Sequence, residues 1–106
     1  FASQADVSRA ADVARLAEEA GRAFDGRVDI LVNLAGGMVA RRTIEEIDEA
    51  FFDQVMDLNL KSAFLVTKAV KPMMGQGGAI VNVSSLAGRD GGGPGVCADA
   101  APATRR

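Results

Sequence analysis

Two adjacent serines, Ser84 and Ser85, close the apolar run "AIVNV" and precede the glycine-rich stretch "LAGRDGGGPG". Hydroxyls at the end of a core strand are well placed to touch a bound ligand. Asn33 closes a second run of the same kind, "VDILVN", and is followed by "LAGG", where small side chains let a ligand approach the backbone. Asn59 is a third polar group, set among apolar residues at helical spacing. There an amide must find hydrogen-bond partners or cost on the order of a few kcal/mol. Each feature has a plain structural reading as well. Strand-end serines cap turns, asparagine suits an Asx turn, and a buried amide can simply bond backbone. Their order and spacing together argue for a site.

The elements that must position these groups can be read from periodicity. Residues 1–5 suit the end of a strand. Ser8 offers an N-cap for a helix over 9–24, with Val13, Leu16, Ala17, Ala20 and Phe24 on one face and Asp25-Gly26 ending it. Residues 28–33 are short, β-branched and bounded by turn residues, which predicts a strand buried on both faces of a parallel sheet. Thr43 with Glu46 three residues on is a capping-box signature. A long helix is predicted over 49–74, loosened in its last turn by Lys71-Pro72, and residues 79–84 form a further buried strand. Strand, helix, strand, helix, strand gives an α/β class with a parallel sheet. Ligands in such sheets bind beyond the carboxyl ends of the strands, so Asn33 and Ser84-Ser85 are expected to converge on one crevice.

The long helix carries two apolar stripes. Phe52, Val55, Met56, Ala63, Val66, Thr67 and Val70 form one; Phe51, Leu58 and Leu65 form the other at heptad spacing. One stripe packs on the sheet. The other suits either a homo-oligomer interface or cover by further parts of the same chain. Glu49, Asp53 and Asp57 repeat every fourth residue and read as a solvated face, not a metal site, with Lys61 placed to pair with Asp57.

Composition narrows the chemistry. The chain has 106 residues, enough for one small domain, and is 48% hydrophobic and 25% charged, as expected of a globular protein. A net charge of −2 gives no electrostatic case for nucleic acid. A single cysteine, Cys97, excludes an internal disulfide and fits a reducing cytoplasm. No apolar run approaches membrane-span length, and no signal peptide is visible. With no histidine there is no Ser-His-Asp or Cys-His system, and the commonest metal ligand is missing. A receiver-like or flavodoxin-like signalling domain shares the element order, but neither an acidic phosphorylation pocket nor a phosphate loop is visible.

"ADV" at 5–7, "DILVNLAGG" at 29–37, "MDLNLKSAFLVTKAV" at 56–70 and "GAIVNVSSLAG" at 78–88 resemble the middle of a short-chain dehydrogenase/reductase, and most of all the 3-oxoacyl-acyl-carrier-protein reductase group. The usual "NNAG" of that family is here "NLAG", with Leu34 as the departure. The resemblance implies a Rossmann-like, doubly wound sheet of order 3-2-1-4-5-6, of which residues 1–95 supply strands three, four and five. Strands one and two would lie between the third and fourth, so their absence leaves a gap in the sheet. It also implies an oxidoreductase that uses NAD or NADP to interconvert a carbonyl and an alcohol.

Roles follow residue by residue. Asp6 and Val7 would flank the adenine, and Asn33, Ala35 and Gly36 would line the ribose and nicotinamide. Asn59 matches the active-site asparagine that bends the long helix and holds a relay water. Ser85 matches the catalytic serine, with Ser84 as its neighbour. The tyrosine and lysine of the family's Tyr-x-x-x-Lys motif fall on Asp99 and Ala103, and a carboxylate at Asp99 is ionised near neutral pH. The pyrophosphate-binding glycine loop would lie before Phe1. These residues by themselves are therefore expected neither to reduce ketones nor to bind NAD(P)H tightly. Residues 96–106 leave the family pattern abruptly, which points to a shifted reading frame or truncated gene near Val96. The alternative is a catalytically inactive relative that keeps a nucleotide crevice or an oligomer interface.

Overall fold

The computed structural model describes residues 1–90; Cys97, Asp99, Ala103 and the tail from Val96 lie outside the described residues. The chain divides into two units, Phe1–Leu34 with Ser62–Val83, and Ala35–Lys61 with Ser84–Arg106.

In the first unit, β1 (Ile30–Asn33) and β2 (Ala79–Asn82) pair in parallel, with Ile30 opposite Ala79 and Asn33 opposite Asn82. The ladder is extended by Ala79 N–H donating to the Asp29 carbonyl at 2.9 Å and Val83 N–H to the Asn33 carbonyl at 3.0 Å. Helix α1 (Ala10–Ala23) packs on a later helix, Ser62–Val70, which also packs on β1. α1 ends where Asp25 (φ 52°) and Gly26 (φ 73°) turn left-handed, as the Asp25-Gly26 pair predicts.

Three expectations for this unit are corrected. Residues 1–5 form no strand; Arg15 ties them to α1 instead, donating to the Gln4 carbonyl at 2.6 Å and to Ser3 Oγ at 3.2 Å. A strand needs a ladder partner, and the described residues offer this segment none. Ser8 does not cap α1. Arg9 is the N-cap residue, with no side-chain cap bond; the Ser8 hydroxyl and N–H both donate to Asp6 Oδ1, at 2.6 and 3.0 Å. Ser8 is thus turned back on Asp6, one residue before the N-cap. The strands are also not buried on both faces: Ile30 is 66% exposed, Val32 52% and Val81 47%. Their β-branched side chains suit burial, but burial requires covering elements on both sides of the sheet.

The second unit is built on α2 (Glu49–Met56). Asp48 caps it, accepting the Phe51 N–H at 2.8 Å. A single 3-10 turn, Ile44–Glu46, precedes it and carries the predicted capping box, with Thr43 N–H donating to Glu46 Oε2 at 2.8 Å. Phe51 and Val55 are buried, with Ile47 packed against them. The Arg42 guanidinium lies 4.2 Å from the Phe51 ring centroid. Phe51 is therefore used inside the chain, which removes it from the proposed oligomer stripe.

The predicted helix over 49–74 is interrupted. After α2 comes a π-helical turn, Asp57–Lys61, then α3 (Ser62–Val70), then a 3-10 turn, Lys71–Met73, that contains Pro72. Proline lacks the N–H that a continuing α-helix needs, which explains the tightened end. Lys61 Nζ pairs with Asp57 Oδ2 at 3.3 Å, as expected of a solvated face. A short helix, α4 (Ala87–Asp90), follows the serine pair. Among the described residues no helix is long and apolar enough to cross a membrane.

Candidate functional site

Asn59 stands in the middle of the π turn, and its side chain bonds backbone at three points. Its Oδ1 accepts the Gly37 N–H at 2.9 Å. Its Nδ2 donates to the Gly37 carbonyl at 2.7 Å and to the Val55 carbonyl, one turn earlier, at 2.9 Å. The primary amide thus pairs with both backbone groups of one loop residue, as a neighbouring strand would. π turns of this kind inside α-helices are frequent at functional sites. Here the turn brings an amide to the loop that follows β1.

Gly36 owes its identity to that amide. A Cβ at position 36 would lie 2.6 Å from Asn59 Oδ1, closer than real Cβ contacts come. The sequence suggests that small residues at 35–37 clear space for a ligand; at Gly36 the space is taken by Asn59. Gly37 is less crowded, with Leu58 Cδ2 3.7 Å from where its Cβ would stand. Ala35, Gly36 and Gly37 are all exposed.

Ser85 is exposed, and its Oγ accepts the Ala87 N–H at 3.1 Å. This is the turn-capping role expected of any strand-end serine. The bond uses an oxygen lone pair, so the hydroxyl proton stays available to a second acceptor. Asn59 and Ser85 belong to the same unit, together with Ala35 and Gly36.

Asn33, Asp6 and Val7 belong to the other unit. Asn33 Nδ2 donates to Asn82 Oδ1 at 2.8 Å, its register partner across the ladder, and to Thr67 Oγ1 of α3 at 3.0 Å. The Asn33 side chain therefore ties β1 to β2 and to α3. Periodicity puts Thr67 in an apolar stripe and does not single out Asn82. A signal for Asn82 existed: both strands end in Val-Asn, Val32-Asn33 and Val81-Asn82.

Asp6 is exposed and Val7 half-buried. The two Ser8 hydrogen bonds hold the Asp6 carboxyl below its ordinary pKa of 3.8, the side-chain bond first and the backbone bond next, with the Arg9 charge adding to them. Asp6 is thus a carboxylate, an acceptor only, across the physiological range. Among the described residues no group of three or more His, Cys, Asp or Glu side chains is placed to hold a metal ion.

Known proteins resemble this chain. A family model described as enoyl-(acyl carrier protein) reductase matches residues 1–101. The 2-dehydro-3-deoxy-D-gluconate 5-dehydrogenase of Dickeya dadantii is 41% identical over 91 residues, covering 83% of this chain and 35% of that protein. An NADH-dependent reductase, A1-R', solved with NAD, superposes with a TM-score of 0.89 at 37% identity, covering 96% of this chain and 45% of that one. A short chain dehydrogenase from Burkholderia cenocepacia, solved with NADP, superposes with a TM-score of 0.84 at 26% identity, covering 95% of this chain and 40% of that one. The chain spans about a third of the length of the curated relatives it matches. With their parallel αβ architecture and its own "DILVNLAGG" and "IVNVSSLAG" segments, the chain belongs to the short-chain dehydrogenase/reductase family of oxidoreductases.

Proposed function

We propose that this protein is an NAD(P)-dependent oxidoreductase that interconverts a carbonyl and an alcohol, with 3-oxoacyl thioesters as the finer substrate class. The observation that carries the reading is the Asn59 amide, seated in a π turn and closed on Gly37. It gives the loop after β1 a fixed backbone beside a helix irregularity, the kind of preorganised position a reacting pair needs.

The roles that the family resemblance gives these residues are those of dinucleotide contacts. Asp6 is an ionised acceptor suited to an adenine amino group, and Val7 offers an apolar flank. In the second unit, the exposed backbone at Ala35 and Gly36 would line the ribose and nicotinamide side. A bound nicotinamide dinucleotide would supply or take the hydride. The Ser85 hydroxyl, oriented by the Ala87 N–H, would donate its proton in a hydrogen bond to the substrate oxygen, where charge changes. Asn59 would act by position, through Gly37, and hold the relay water. Leu58 and Leu65, both half-buried, are the remaining candidates of the oligomer stripe.

A second reading has its own observation. Asp99 and Ala103 stand where the family's tyrosine and lysine fall, so this chain shows no proton donor at that position. A non-catalytic relative would keep the nucleotide crevice alone. One experiment separates the two. The full-length polypeptide is titrated with NADH and NADPH, then assayed with simple ketones and a 3-oxoacyl thioester. Binding followed by substrate-dependent cofactor oxidation supports the enzyme; binding without turnover supports the second reading; neither overturns both.

A further inference from the structure

Val39 occupies a conformation that its side chain disfavours. Its φ is 64°, and the Ala40 N–H donates across it to the Met38 carbonyl at 2.7 Å. This is a three-residue turn with positive φ, the rare and strained form. A β-branched residue is the worst choice there, because its Cβ crowds the following carbonyl, while glycine or asparagine would fit. The other non-glycine residue with positive φ among the described residues is Asp25, a tolerated type at a helix end. Val39 has no such task.

Packing does not explain the valine either, since its side chain is 48% exposed. The loop around it is nevertheless pinned at both ends to one stretch of helix. Gly37 is clamped by Asn59 through two hydrogen bonds, and Arg42 stacks on the buried Phe51. Successive Cα atoms are about 3.8 Å apart, so the Val39 Cα lies within roughly 7.6 Å of the Gly37 Cα. A pinned loop thus holds a strained, open, apolar side chain two residues from the amide clamp. Backbone strain of this kind persists only where the surrounding structure over-determines it, and it clusters at active sites and ligand clamps.

We infer that Val39 is a specificity-determining residue of the substrate crevice, selecting carbonyl compounds with an apolar group beside the reacting carbon. The inference rests on the oxidoreductase reading above. Leu58, whose Cδ2 lies 3.7 Å from where a Cβ on Gly37 would stand, continues the apolar character around the clamp.

The test uses the full-length polypeptide and its Val39→Gly and Val39→Leu variants, with a series of 2-ketones of increasing chain length and branching. Glycine suits φ 64°, so Val39→Gly keeps the loop and removes only the side chain. Its preference for the branched over the smallest ketone, as a ratio of kcat/KM, is expected to fall about tenfold, with the KM for NAD(P)H unchanged. Val39→Leu should shift the preferred chain length. Turnover with both ratios within about twofold of the parent overturns the inference. So does a lower melting temperature for Val39→Gly with unchanged ratios, which gives Val39 a packing role. No turnover of any ketone by the parent overturns the oxidoreductase reading itself, a result distinct from either.

Discussion

A methyl group on Gly36 would lie 2.6 Å from Asn59 Oδ1 and 3.7 Å from Asn59 Cγ, across 23 positions of sequence. The amide has little room to retreat, because it also holds Gly37 and Val55. Gly36→Ala should therefore displace Asn59 and break the clamp, at a cost of about 1–3 kcal/mol. Asn59→Ala removes the same bonds and should cost a similar amount. In the double variant the second change should add little, so a double-mutant cycle by urea denaturation is expected to show a coupling of about 1 kcal/mol or more. Simple additivity would separate Gly36 from the amide.

Asn33 makes an equivalent join in the other unit. Asn33→Ala loses the bonds to Asn82 and Thr67 and should destabilise by about 1–2 kcal/mol. Thr67→Val removes one of the two and should cost less than Asn33→Ala. Midpoints of denaturant unfolding at constant m-value measure both.

Ser84 and Ser85 are adjacent, so their exchange for alanine tests the assignment sharply. Ser85→Ala in the full-length polypeptide should lower kcat about 10²–10³-fold while leaving the NAD(P)H affinity nearly unchanged. It should also lose about 0.5–1 kcal/mol of stability with the Ala87 cap. Ser84→Ala should change kcat by no more than a few-fold. Equal losses from the two would make Ser85 a capping residue alone.

The Asp6 carboxyl should titrate below 3.8, because Ser8 bonds favour its charged form. A depressed folded-state pKa means that its contribution to stability is fully present above the unfolded value near 3.8. That contribution is lost as pH falls through the lower folded value. Carboxyl carbon chemical shifts followed against pH will show this directly. In Ser8→Ala the midpoint should move up toward the ordinary value, since the larger of the two Ser8 bonds is removed.

Features encoded within one turn of chain could be read from the sequence. The Thr43–Glu46 capping box, the left-handed pair at Asp25-Gly26 and the loosening at Pro72 each depend on residues four or fewer apart. Both strands and the parallel α/β class follow from short β-branched runs between helical periods. Ser8 misled even at short range. Its hydroxyl and N–H both turn back to the Asp6 carboxylate two positions earlier, and residue type alone does not show that the helix starts one residue later.

The sequence by itself determined the family, through "DILVNLAGG" and "IVNVSSLAG", with Asn33 and Ser85 at the ends of apolar runs and Asn59 inside the long helical stretch. Tertiary structure decided what those residues hold. Periodicity reads 49–74 as one helix, because no propensity marks the π turn; it exists where the Asn59 amide finds Gly37, 22 residues away in sequence. Gly36 reads as room for a ligand until Asn59 Oδ1 is seen to fill the space. Phe51 reads as a possible interface residue until it is seen buried against Val55 and Ile47. Likewise β-branched strands announce a wish for burial, yet Ile30 and Val32 stay open because burial depends on what packs across them. Hydrogen bonds and contacts between distant residues are set by the path of the chain in space, which local propensity does not carry.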